Sequence, residues 1–101
     1  MSLTKWGKVG DTTTNTAESN NAVIAEPFVL HGILINHDQS NDALIELYDA
    51  LTVTGTPVVK FNATLATPYY DLGDVQFTVG LSTKVTVGGG GVVTWAVAFE
   101  L

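Results

Sequence analysis

The sequence predicts an all-β fold: one antiparallel β-sandwich or jelly-roll-like domain of about six to eight strands. Three observations carry this. Apolar and polar residues alternate with period two in several short runs. Gly, Pro, Asn and Asp punctuate those runs at short spacing. The 101 residues are 46% hydrophobic and only 14% charged, enough apolar material for one core and few charges to keep outside it.

Met1–Asn21 stands apart. Its stretch from Asp11 to Asn21 is almost entirely small and polar, so it offers little apolar surface to offset the entropy of ordering. The expectation is a polar N-terminal arm over residues 1–21, followed by a sandwich domain over residues 22–101. Lys5, Trp6 and Lys8 are the arm's candidate partner contacts, because a buried aromatic commonly anchors an interface.

Phe28 to Asn36 (FVLHGILIN) is apolar at both parities, which predicts a central strand buried on both faces. The turn formers His37 to Asp42 follow. Ala43 to Tyr48 (ALIELY) is read as a strand, since no capping box precedes it. Gly55 centres a turn within Thr52 to Pro57, and Val58 to Asn62 is the next strand. Ala66 to Asp74, with Pro68 and Gly73, reads as a loop that exposes Tyr69 and Tyr70. Val75, Phe77 and Val79 share one face of a half-buried strand, and Leu81, Thr83, Val85 and Val87 share a face of another. Gly88 to Gly91 is expected to close a hairpin into a last strand whose inner face is Val93, Trp95, Val97, Phe99 and Leu101. So apolar a strand belongs inside its sheet, not at an edge. The expected core includes Ile33, Leu47, Phe77, Val85, Trp95, Val97 and Phe99.

Chemistry is sparse. Without Cys there are no disulfides and no thiolate sites. Ten acids against four Lys and no Arg give a formal charge of −6, which disfavours nucleic-acid backbones and anionic membranes. No secretory signal and no apolar run of about 20 residues is found, so a soluble protein is expected. On one strand His31 and His37 would sit roughly 20 Å apart, too far to share a metal, which leaves His31 a hydrogen-bonded place in the sheet and His37 a turn position. Asp38, Asp42, Asp49, Asp71 and Asp74 lie in or beside turns, where Asp bonds backbone amides, and follow no calcium-loop spacing. No Gly-x-Ser-x-Gly elbow or phosphate loop is present. The expectation is a non-enzyme with no metal and no cofactor.

Gly32-Ile-Leu-Ile-Asn36, Leu47-Tyr48-Asp49, Thr54-Gly55-Thr56 and the segment Gly73 to Leu81 give the chain a family likeness. It resembles small β-sandwich virion proteins encoded near the head genes of tailed phages. The likeness spans about two-thirds of the chain, leaves out residues 1–21, and rests on strand and turn positions. It implies a capsid decoration or cement protein, made in the host cytoplasm and carried on the particle surface. Its partners would be the major capsid protein or another virion protein and its own copies, with a trimer favoured. The alternative is a tail-fibre or receptor-binding module that holds surface glycans through Tyr69 and Tyr70.

Overall fold

The computed structural model describes residues 5–12, 16–37, 43–64, 68–87 and 93–101. They form the strands β1 (Lys5–Thr12), β2 (Thr16–Ile24), β3 (Phe28–His37), β4 (Ala43–Tyr48), β5 (Val59–Ala63), β6 (Tyr69–Phe77), β7 (Leu81–Val87) and β8 (Val93–Glu100). Ala43–Tyr48 is a strand, as its alternation predicts.

Two four-stranded sheets result, with order β1-β8-β3-β6 in sheet 1 and β2-β7-β4-β5 in sheet 2. All pairings are antiparallel, and four of them follow one rule: β1 with β8, β2 with β7, β3 with β6, β4 with β5. The chain is thus one long hairpin, bent at the β4–β5 loop, and the paired ribbon is rolled between two sheets. Contacts of β3 with β8 and of β4 with β7 complete the roll. This order is that of a jelly roll.

The core lies between the sheets. Phe28, Leu30, Ile33, Ile35, Phe77, Val93, Trp95, Val97 and Phe99 face Ile45, Leu47, Leu81 and Val85, all buried. Phe28 stacks on Phe77 with ring centroids 4.7 Å apart and meets Phe99 edge-on at 5.8 Å. The seven residues named for the core are all buried, and β8 sits between two partners as its apolar face requires, but Leu101, expected on that inner face, lies past the end of β8 and is 59% exposed.

Five further expectations are corrected. First, the segment 1–21 is not an arm where it is described. β1 and β2 pair with β8 and β7 and form one edge of each sheet. An edge strand is held by main-chain hydrogen bonds and tolerates Thr, Asn and Ser, so low hydrophobicity did not preclude ordering. Met1–Thr4, residues 13–15 and the side chains of Lys5, Trp6 and Lys8 lie outside the described part.

Second, β3 is central but not buried on both faces: Leu34 is 39% exposed. Its apolar residues fall on both parities because a bulge changes the phase. Leu30 pairs with Phe99 and Gly32 with Ala98, so His31 is an extra residue, and the inward set runs Phe28, Leu30, then Ile33, Ile35.

Third, Tyr69 to Asp74 is not a loop but part of β6. Opposite the β3 bulge, β6 is irregular too: Leu30 faces Val75 and Gly32 faces Asp71. Gly73 takes a positive φ of 71° there. At a sheet edge, Gly and Asp are admitted where a central strand would reject them. Fourth, Val79 lies beyond the end of β6 and is exposed.

Fifth, the glycine run does not join a hairpin. Its conformation lies outside the described residues, but β7 and β8 belong to different sheets. The same is true of β3 and β4 across the turn formers, so of the successive strands only β4 and β5 pair with each other.

Candidate functional site

Of the candidate residues, the structure places Tyr69 on the outer face of sheet 1. Strand register lays them out in rows. Tyr69, Leu34 and Ala96 form one row, Asp71, Gly32 and Ala98 the next, and Asn36 stands opposite Thr94. A Cβ on Gly32 would lie 2.6 Å from the Tyr69 ring carbon that bears the hydroxyl, and as close to the Tyr70 carbonyl oxygen. Glycine is therefore required there, and the Tyr69 side chain reaches diagonally across β3 over it. Leu34, Asn36, Thr94, Trp95 and Ala96 line an open depression of ≈ 190 Å³ beside this row. That is below the about 300–1,000 Å³ of sites that engulf a small molecule.

The two tyrosines part ways. Tyr69 is 39% exposed on this face. Tyr70, next along the strand, points to the other side. Its ring packs on Phe61 at 4.8 Å, its hydroxyl donates to the Thr64 carbonyl at 3.0 Å, and it accepts from the Thr64 amide. Tyr70 ties β6 to β5 and belongs to the scaffold.

At the bulge, His31 lies between two carboxylates. Nδ1 is 2.7 Å from Asp74 Oδ1 on β6, and Nε2 is 2.5 Å from Glu100 Oε1 on β8. Neutral imidazole has one N–H, so both bonds need the imidazolium. The bond to Asp74, then the bond to Glu100, raise the His31 pKa above its ordinary 6.5, against an opposing contribution from partial burial. With both nitrogens engaged, His31 has none left to take a proton from a substrate or to bind a metal. Among the described residues no group of three His, Cys, Asp or Glu is arranged to hold a metal ion.

A second carboxylate site pins one end of the sandwich. Asp49, just after β4, accepts from the amides of Thr78, Val79 and Gly80 at 2.8–3.2 Å and from the Thr78 hydroxyl at 2.9 Å. Burial pushes its pKa up, and these donors outweigh that, leaving it below the usual carboxylate value. Nearby, the buried Ser82 hydroxyl donates to the Ala50 carbonyl and accepts from the Ala22 amide, while the Asn21 side chain accepts from the Val53 amide. The exposed apolar residues Leu51 and Val79 emerge from this pinned corner.

The sequence reading gave His31 a hydrogen-bonded place in the sheet, which the structure bears out, but did not find its partners 43 and 69 residues away. It gave Asp49 a turn role among local amides, whereas the amides lie 29–31 residues on. No spacing signal marks either site. Comparison of the chain with protein family models, with curated proteins and with solved structures finds no match.

Proposed function

We propose that this chain is a non-enzymatic structural protein of a tailed-phage virion, which decorates or cements the capsid through protein–protein contacts. The observation that carries the reading is the outer face of sheet 1, where Leu34, Asn36, Tyr69, Thr94 and Ala96 make an uncharged stretch beside Asp71. A surface poor in charge and rich in small apolar groups is suited to burial against protein. The jelly-roll order is compatible with this, since the architecture recurs in capsid proteins, although fold alone does not fix function. The likeness of Gly32–Asn36, Leu47–Asp49, Thr54–Thr56 and Gly73–Leu81 to phage virion proteins points the same way. Copies seated across capsid seams, as trimers, would add buried area that opposes the outward pressure of packaged DNA.

The test uses phage heads lacking this protein, mixed with the purified full chain. Saturable co-sedimentation and a higher temperature of DNA release are expected. Absence of the chain from purified particles by mass spectrometry, or no binding to such heads, overturns the reading.

The glycan-binding alternative retains one supporting observation, the exposed Tyr69 beside Asn36 and Thr94, because a tyrosine ring can stack on a sugar. Tyr70 gives it no support. Binding of a neutral oligosaccharide that is lost in Tyr69→Ala would favour it.

A further inference from the structure

We propose that His31, Asp74 and Glu100 form a pH-sensitive clasp that stands in for the regular backbone ladder at the β3 bulge and holds edge strand β6 and the end of β8 against β3. The argument begins with what the backbone lacks. Between the pairs Leu30–Val75 and Gly32–Asp71, β6 has three residues, Leu72, Gly73 and Asp74, facing the single residue His31. Between Leu30–Phe99 and Gly32–Ala98, β8 has no residue to match His31. Regular pairing therefore breaks at one level on both sides of β3. A bulge re-aims the extra side chain, and here that side chain reaches a carboxylate on each neighbour, at 2.7 Å and 2.5 Å.

The bridge matters most for β6, which among the described residues is an edge of sheet 1 with β3 as its one partner strand. Its Gly73, in a left-handed conformation, adds an intrinsically weak point.

The charges around the imidazole set the pH response. Asp74 and Glu100 bond it, and Asp71, opposite Gly32, stands one row away. Lys5 and Lys8 lie on β1, one strand beyond β8. Both carboxylates are bonded together only while the ring is the imidazolium. As pH rises through the His31 pKa, which lies above 6.5, the ring keeps one N–H and one of the two bonds is lost. The clasp is thus closed while the ring is protonated and loosens as pH rises through the folded value.

The experiment is amide hydrogen exchange by NMR on the full chain from pH 4 to 9, corrected for intrinsic rates, with ring-nitrogen spectra of His31. Wild type should show both His31 nitrogens protonated at pH 6. Amides of Leu72–Phe77 and of Phe99–Glu100 should be best protected there and lose protection as pH rises. In His31→Gln their exchange at pH 6 should speed up about two- to fivefold, the factor expected for partly exposed ion pairs. The exchange of Ile45 and Val85 in sheet 2 should not change. Asp74→Asn should affect β6 more than β8, and Glu100→Gln the reverse. A neutral His31 ring at pH 6, unchanged β6 exchange in His31→Gln, or equal acceleration in both sheets would overturn the proposal. Because the readout is local and uses the isolated chain, its outcome is independent of the virion reading.

Discussion

The Asp49 corner and the His31 clasp do the same job in different settings. Each holds together strands far apart in sequence, at a place where the backbone ladder does not run. At the corner, one carboxylate meets three main-chain amides and a hydroxyl, all fixed by a tight turn. In the clasp, three ionisable side chains meet one another, and Asp74 is 76% exposed. Fixed dipoles that are already oriented cost little to organise, whereas exposed side chains lose rotamer entropy and are screened by water. The corner is therefore the structural anchor, and the clasp is the adjustable element.

Substitution at the corner should have the largest effect. Asp49→Ala leaves the Thr78, Val79 and Gly80 amides without their acceptor, at a cost of about 2–3 kcal/mol. For a domain of this size that lowers the melting temperature on the order of 10–20 °C. Calorimetry of the variant checks it, and a shift under a few degrees would mean that water replaces the carboxylate readily.

The next effect separates the two sites by pH. The Asp49 pKa is lowered in the folded protein, so its contribution is present above the ordinary carboxylate pKa and lost as pH falls through the folded value. The His31 pKa is raised, so its contribution is complete below 6.5 and lost as pH rises through the folded value. Urea midpoints measured across pH should fall at both ends. Asp49→Asn should flatten the acid limb, and His31→Gln the alkaline one. If either variant flattened the opposite limb, the assignment of the two sites would be reversed.

The smallest effect tests the strain beside the corner. Ala22 has a φ of 49°, a left-handed conformation that costs a residue with a Cβ about 1–2 kcal/mol, and its amide is held by Ser82. Glycine removes that strain but adds freedom to the unfolded chain. Ala22→Gly should therefore stabilise by about 0.5 kcal/mol, read as a small rise in the urea midpoint. A loss of stability would show that the hydrogen bond to Ser82 depends on the alanine.

Much of the fold was legible along the chain. The alternation in Ala43–Tyr48, Leu81–Val87 and Val93–Glu100 assigns the inward face of each strand, because a pleated strand has period two whatever its partner. Gly55, with φ 74°, sits where its turn was read. The lack of Cys and Arg excludes thiolate chemistry and bidentate phosphate recognition on composition alone.

Assembly in three dimensions supplied the rest. A bulge leaves no local mark: FVLHGILIN reads as a strand apolar on both sides until pairing with β8 makes His31 the extra residue and shifts the phase. The polar stretch from Asp11 to Asn21 offers little to bury, yet Asp11, Thr12 and the residues from Thr16 on are in strands because β8 and β7 present open ladders for β1 and β2 to complete. Tyr69 and Tyr70 are neighbours of one type, and alternation in an edge strand sends one to the surface and the other against Phe61. The carboxylates that matter, Asp49 and the pair around His31, meet partners 29–69 residues away. Strand period is a property of the local backbone, whereas sheet order, register and the meeting of distant charges depend on how the whole ribbon rolls, and no short window of residues encodes that.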